Sequence, residues 1–237
     1  MQNAQGPYRL KQWQRYGKRV QAEGPGRVRW VIQSAGVGLA AMEARAQAEL
    51  ARLHAEGPAA QLAALMDPRP LHRALFADVA PPDMPEAAGT WRGTPGTGLA
   101  GMRRAVFVPK AGEGVRRRHL CHPPEAVAEA MAALAGRVEA LWQGGADGGE
   151  QAALDALAEF LARFFLIHPF ADGNGHVGRL LAVLLAGRLG LAAGPGWTLA
   201  HRPYGPTMSL CLQWYAAHPA LLADHLRRWF RWAPRHG

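Results

Sequence analysis

The chain holds 237 residues, with 27 Lys and Arg against 18 Asp and Glu for a formal net charge of +9; 49% of the residues are apolar and 19% are charged. That balance excludes a disordered acidic or polyampholyte tail and fits a globular protein whose core is large enough for one domain or two. Cys121 and Cys211 are too few for a disulfide framework and lack the CxxC or Cys/His spacing of a zinc site, which points to a reducing compartment.

In chain order, the first stretch is an arm in which Tyr8, Leu10, Trp13 and Tyr16 stand among basic residues, between Gly6-Pro7 and Gly24-Pro25-Gly26. From Arg27 to His54 apolar residues and alanines run without proline, and the helix formers from Met42 to Leu50 predict a helix or a pair of helices, ended by Gly57-Pro58. Val31 to Met42 is uncharged, but it lies far from Met1 and contains Gln33, Ser34, Gly36 and Gly38, so it reads as part of a buried helix and not as a signal peptide. A short helix over Ala59 to Met66 precedes Asp67-Pro68-Arg69-Pro70, then Leu71 to Phe76, then the loop Pro81-Pro82-Asp83-Met84-Pro85.

Residues 87–122 are dense in Gly and Thr. Here Arg104 to Pro109 is the best strand candidate, Gly112-Glu113-Gly114 a turn and Val115 to Leu120 a return strand, and such a hairpin has to pack on helices. Pro123-Pro124-Glu125 opens a helix from about Ala126 to Trp142, and the run Gly144 to Gly149 is a flexible connection. Two strongly apolar helices follow, Gln151 to Ile167 and His176 to about Leu191, separated by the loop His168 to Gly175. Ala192 to Gly196 closes the second, and helical stretches near Thr207 to Ala217 and Pro219 to Trp232 end the chain. With no repeat and no strand-helix alternation, the fold class is mainly α with one β-hairpin.

No segment reaches the roughly 18–20 uninterrupted apolar residues of a membrane-spanning helix, so no membrane partner is expected and the chain reads as soluble and cytoplasmic, with delivery into another cell left open. The clusters Arg103-Arg104, Arg116-Arg117-Arg118 and Arg227-Arg228 read as solvated surface, and nucleic acid is not an expected partner. Trp142, Trp214, Trp229 and Trp232 fall in helical segments and read as packing residues. Cys121-His122 does not read as a nucleophile pair, because neighbours on a strand point to opposite faces.

The loop between the two apolar helices concentrates chemically capable groups. Pro169 forces the backbone to turn after His168 and leaves the imidazole at a helix end. Gly173-Asn174-Gly175 offers residues tolerant of positive φ just before a helix N-terminus, where successive N–H groups can face one anion. Arg179, in the first turn of the next helix, can reach over the same concavity, and Asp172 offers a hard oxygen ligand for Mg²⁺. Taken singly, each residue has an ordinary structural role: a helix-helix turn, an N-terminal cap, a core histidine. Taken as a set, they make a candidate site for a Mg²⁺-nucleotide with His168 as general base on its rim.

The stretch His168 to Arg179 resembles the signature of the Fic family, His-x-Phe-x-[Asp/Glu]-Gly-Asn-Gly-Arg-x-x-Arg, at every defined position but one. Leu71 to Phe76, Ala88-Gly89-Thr90-Trp91-Arg92, the hairpin and Pro123-Pro124 with its helix are collinear with the usual run-up to that motif, so the resemblance covers roughly residues 60 to 215. It implies an N-terminal arm and helical extension over 1–58, a Fic-like helical domain with a hairpin flap over 59–215, and a C-terminal helix packed on the core over 216–237. The implied activity is transfer of AMP from ATP to a hydroxyl side chain of a target protein, with ATP and Mg²⁺ as cofactors. His168 then matches the base, Asp172 the metal ligand, Gly173, Asn174 and Gly175 the phosphate nest, and Arg179 the arginine on the distal phosphates. Phe170 matches a core anchor, and Val106-Phe107-Val108 the flap that aligns the target segment.

The departure is His176, which stands where the signature has its first arginine and cannot make arginine's two-pronged contact with phosphate. Three consequences stay open: weaker ATP binding with the same chemistry, a different transferred group or reaction (another nucleotide monophosphate, phosphotransfer, removal of AMP), or a degenerate, non-catalytic binding module. Many family members carry an inhibitory helix with a Ser/Thr-x-x-x-Glu-Gly/Asn pattern. Glu43 is the nearest candidate, but Leu39 and Ala44 break the pattern, and Glu43 reads as an ordinary helix-surface residue; without such a glutamate, control falls to a separate antitoxin-like partner or to the substrate.

Overall fold

The apolar runs on either side of residues 168–175 form the helices at the centre of the molecule. The structure, a computed structural model, describes residues 39–80, 84–109, 116–145, 148–200 and 207–233. The expected N-terminal arm, the turn Gly112-Glu113-Gly114 and the side chains of Val106 to Val108 and Arg116 to Arg118 lie outside what is described.

Helix α1 spans Leu39–Glu56, α2 Pro58–Met66 and α3 Arg69–Phe76. The buried residues Met42, Ala46 and Leu53 fall on one stripe of α1, which packs on α2, α3 and the later helix α6. Gly57, at φ 91, makes the break that leads into α2. Arg45 fixes α1 to the end of α3 by donating to the Leu75 carbonyl at 2.8 Å and to both Asp78 carboxylate oxygens at 2.6 and 2.8 Å.

Strands β1 (Ala105–Pro109) and β2 (Arg116–Leu120) pair antiparallel, with Ala105 opposite Leu120 and Pro109 opposite Arg116. Helix α4 (Val127–Gly144) then packs against α2 and α5. Helix α6 (Asn174–Arg188) is buried nearly all round, while α5 (Gly149–Ile167) buries a broad apolar face and carries Gln151, Asp155, Glu159 and Arg163 on the other. They approach closely at Gly178, where a Cβ would lie 2.8 Å from the Phe165 ring. With α7 (Thr207–Trp214) and α8 (Ala220–Leu226), the described residues are mainly helical, as expected.

The C-terminal segment departs from the reading. The helix expected from Pro219 to Trp232 stops at Leu226, and Phe230–Trp232 (β4) pairs with Leu191–Ala193 (β3), residues assigned above to a helix end and a loop. Pairing satisfies backbone groups on both segments and buries Phe230, whose ring centroid lies 4.7 Å from that of Trp197. Trp214 and Trp232 are 51% and 38% exposed, so they are not the packing residues their helical setting suggested.

The α5–α6 contact generates a stability prediction. Gly178→Ala should lower stability by about 1–3 kcal/mol, because the Phe165 ring has to yield to the new methyl. Urea unfolding of the two chains measures it.

Candidate functional site

Helix α5 ends at Ile167, and His168 caps it in the left-handed conformation, at φ 54 and ψ 61. Glycine is the usual residue there, and a side chain costs roughly 1–2 kcal/mol. The cost is offset by Arg92, a fully buried residue from the loop before the hairpin. Its Nε donates to the His168 carbonyl at 3.0 Å, and its Nη2 to the carbonyls of Ile167 and His122, both at 2.8 Å. Nη1 donates to the Met102 carbonyl at 2.9 Å, and the Arg92 amide to the Pro169 carbonyl at 2.7 Å. One side chain thus fixes the end of α5, the start of the loop and the two chain segments that carry the hairpin. Burial lowers the Arg92 pKa to about 10, which leaves the guanidinium charged at neutral pH.

The loop folds around Asn174. Its Oδ1 accepts the Phe170 amide and its Nδ2 donates to the Phe170 carbonyl, both at 2.9 Å, so the Asn174 side chain closes the turn and only its backbone is available to a ligand. Phe170 is fully buried, as a core anchor should be, stacked on His72 at 3.9 Å and tilted against Trp91 at 4.9 Å. His72 Nδ1 accepts the Gly89 amide at 2.9 Å, which puts the ring proton on Nε2, where it donates to the Asp172 carbonyl at 3.0 Å. Complete burial lowers the pKa of His72 to about 3, with the Asp172 hydrogen bond opposing, so the ring stays neutral.

Gly173, at φ 73, is the N-cap of α6, and a Cβ there would lie 2.5 Å from the Phe76 ring. Its amide is taken by Asp172 Oδ1 at 2.8 Å, and its carbonyl accepts the amides of His176 and Val177. The helix starts at Asn174, two residues earlier than expected, so the first-turn amides of Asn174 and Gly175 lack intrahelical acceptors and Arg179 falls in the second turn.

Arg179 is buried, donating from Nε to the Leu199 carbonyl at 2.8 Å and from Nη2 to the Ala200 carbonyl at 3.0 Å. Its Nη1 lies over the nest, 3.1 Å from where a Cβ on Gly175 would stand. The amides of those same two residues, Leu199 and Ala200, donate to the Glu43 carboxylate at 3.2 and 2.6 Å. Glu43 is therefore half-buried in a tertiary contact and is not the solvent-facing residue that its helix pattern suggested. Burial alone would raise its pKa, but the Ala200 amide, the Gln47 side chain, the Leu199 amide and the Arg179 charge together hold it below the ordinary 4.5.

His176 does not join this group. It is buried, and its ring meets Phe76 edge-on at 5.7 Å. A different cation does reach the loop: Arg104, read above as solvated surface, donates from Nη2 to the Ala171 carbonyl. Burial lowers the pKa of that guanidinium, while the Asp172 carboxylate opposes the shift. His72, Arg92 and Arg104 all act on backbone carbonyls or amides of the motif loop, and the sequence signals for them were a Gly-Thr-Trp-Arg run and two ordinary basic residues. The structure thus brings Asp172, Gly173, Asn174, Gly175 and Arg179 together at the start of α6, sets His168 at the end of α5 and buries His176 against Phe76.

The family model described as Fic/DOC family matches residues 64–186. A search of curated proteins finds no match. Among solved structures, the chain is similar to the N-terminal Fic domain of a VirB-translocated Bep effector protein of Bartonella quintana with bound ADP. The identity is 16% and the TM-score 0.53, over 81% of this chain and 84% of that one. It is also similar to BepC of Bartonella tribocorum with bound AMPPNP, at 12% identity and TM-score 0.50, over 82% and 87% of the two chains. A further structure of such a domain from Bartonella quintana matches at 17% identity and TM-score 0.50, over 81% and 83%. At these identities the likeness shows the fold.

The neutral His72 makes the loop acid-sensitive. Its pKa falls from 6.5 to about 3 on folding, so its stabilising contribution is complete above pH 6.5 and is lost as pH drops toward 3. His72→Gln keeps a donor and an acceptor without titrating. Between pH 7.5 and 5.5 the variant should lose about 1 kcal/mol less stability than the parent chain, measured by urea unfolding at each pH.

Proposed function

Because the chain belongs to the Fic/DOC family, we propose that it transfers AMP from Mg²⁺-ATP to a Ser, Thr or Tyr hydroxyl of a target protein. The observation that carries the reading is the helix end at Asn174. A left-handed Gly173 starts α6, Arg179 Nη1 lies over Gly175, and His168 is fixed at the other end of the same loop, as the cap of α5. The neighbours' bound ADP and AMPPNP support a nucleotide in a site of this fold.

In the proposed reaction the target hydroxyl attacks the α-phosphorus, the bond to the bridging oxygen breaks, pyrophosphate leaves and His168 receives the hydroxyl proton. The chain's part is to position and to neutralise charge. The Asn174 and Gly175 amides and Arg179 meet the phosphate oxygens. Arg179 needs little reorganisation for this, since Leu199 and Ala200 already hold its guanidinium. For Mg²⁺ the loop offers the Asp172 carboxylate, which would hold the ion together with the nucleotide's own phosphates, the way this ion is ordinarily bound. When bound, Mg²⁺ supplies charge neutralisation between adjacent phosphates.

Glu43 is engaged by the Leu199 and Ala200 amides, and we read it as a brace for the segment that holds Arg179, which leaves inhibition to a separate antitoxin-like partner. The buried His176 favours one second reading, in which the same fold transfers another group.

Transfer of label from α-labelled and γ-labelled ATP to proteins of a cell lysate separates these readings. AMP transfer predicts α label only, lost in His168→Ala; γ label only would mean phosphotransfer, and no His168-dependent label from any nucleotide would rule out catalysis by this loop. His168→Gly should also abolish transfer while raising Tm by about 2–4 °C, since relief of the left-handed cap outweighs the extra unfolded-state freedom of glycine.

A further inference from the structure

A polyphosphate at this helix end carries more negative charge than Arg179 and two backbone amides neutralise, and the position that should supply a second guanidinium holds His176, turned against Phe76. Arg104 stands at the base of the β1–β2 hairpin, where its carbonyl accepts the Cys121 amide at 3.1 Å. Its guanidinium donates to the Ala171 carbonyl, directly before Asp172, and its Nε is buried without a hydrogen-bond partner. Arg104 is half-buried with its Nε enclosed, and although the Asp172 carboxylate favours its charge while Arg92 opposes it, that donor is left unspent. An anion beside Asp172 would satisfy it.

We propose that Arg104 is a phosphate ligand of the nucleotide site, supplying from the hairpin base the guanidinium that position 176 does not. The inference rests on the nucleotide reading above and extends it to one residue. It makes the hairpin part of the nucleotide site as well as a flap beside it. A guanidinium offers five donors in a fixed fork, so one can stay on the Ala171 carbonyl while others meet phosphate oxygens.

The test is calorimetric binding of AMPPNP with Mg²⁺ to the whole chain, with Tm recorded for each protein. Arg104→Gln keeps an amide donor for the Ala171 carbonyl and removes the charge; Arg104→Lys keeps the charge and removes the fork. A phosphate ligand predicts roughly ten- to a hundredfold weaker binding for Arg104→Gln, a smaller loss for Arg104→Lys, and Tm values within a few degrees of the parent. Unchanged AMPPNP binding in Arg104→Gln overturns the inference and leaves the nucleotide reading standing. Equal losses in both variants with a lowered Tm also overturn it, because they mark Arg104 as a strut for the loop. A parent chain that binds no AMPPNP overturns both.

Discussion

The site depends on one buried cation. Arg92 has no carboxylate among its hydrogen-bond acceptors and is held by carbonyls of Met102, His122, Ile167 and His168. Those carbonyls lie at the end of a helix and on loops, where no regular ladder would accept them, so the guanidinium and the unsatisfied oxygens solve each other's burial problem. The arrangement also places a strained histidine. The left-handed conformation of His168 persists because Arg92 grips the carbonyl before it, its own carbonyl and the one after it. Strain stored at one residue is here sustained by a residue far away in sequence, as a preorganised site requires.

Charge follows the same pattern. Around the loop, Arg92, Arg104 and Arg179 bond to carbonyl oxygens, and the nearby carboxylates, Asp172 and Glu43, bond to amides. Neutral acceptors fix the geometry of a guanidinium without cancelling its field. The guanidiniums are thus oriented by backbone oxygens, while the Asp172 and Glu43 carboxylates act on Arg104 and Arg179 through their charge.

What could be read from the sequence divides along the same line. The motif from His168 to Arg179 was legible because its residues are contiguous and its chemistry is local: a proline to turn the chain, glycines for positive φ, a helix end behind them. The helices flanking it were legible because apolar residues recur in them densely enough to fill a broad helical face. Arg92, His72, Arg104 and the tertiary role of Glu43 were not, since each bonds to backbone groups remote in the chain, and a carbonyl or amide acceptor leaves no mark on residue type. The strand at Phe230 was hidden for a related reason. It is three residues long, follows a helical pattern without a break, and takes its partner from a segment that itself reads as a helix end.

Leu199 and Ala200 bind Arg179 with their carbonyls and Glu43 with their amides. The region shared with the family runs from 64 to 186, so both the brace and the segment it braces lie outside it, on opposite sides. The shared region and the working unit are thus not the same piece of chain. Arg179 stands inside the matched region, while the carbonyls that hold its guanidinium come from outside it. A substitution at Glu43, or one that shifts residues 199–200, therefore reaches Arg179 without any change between His168 and Arg179.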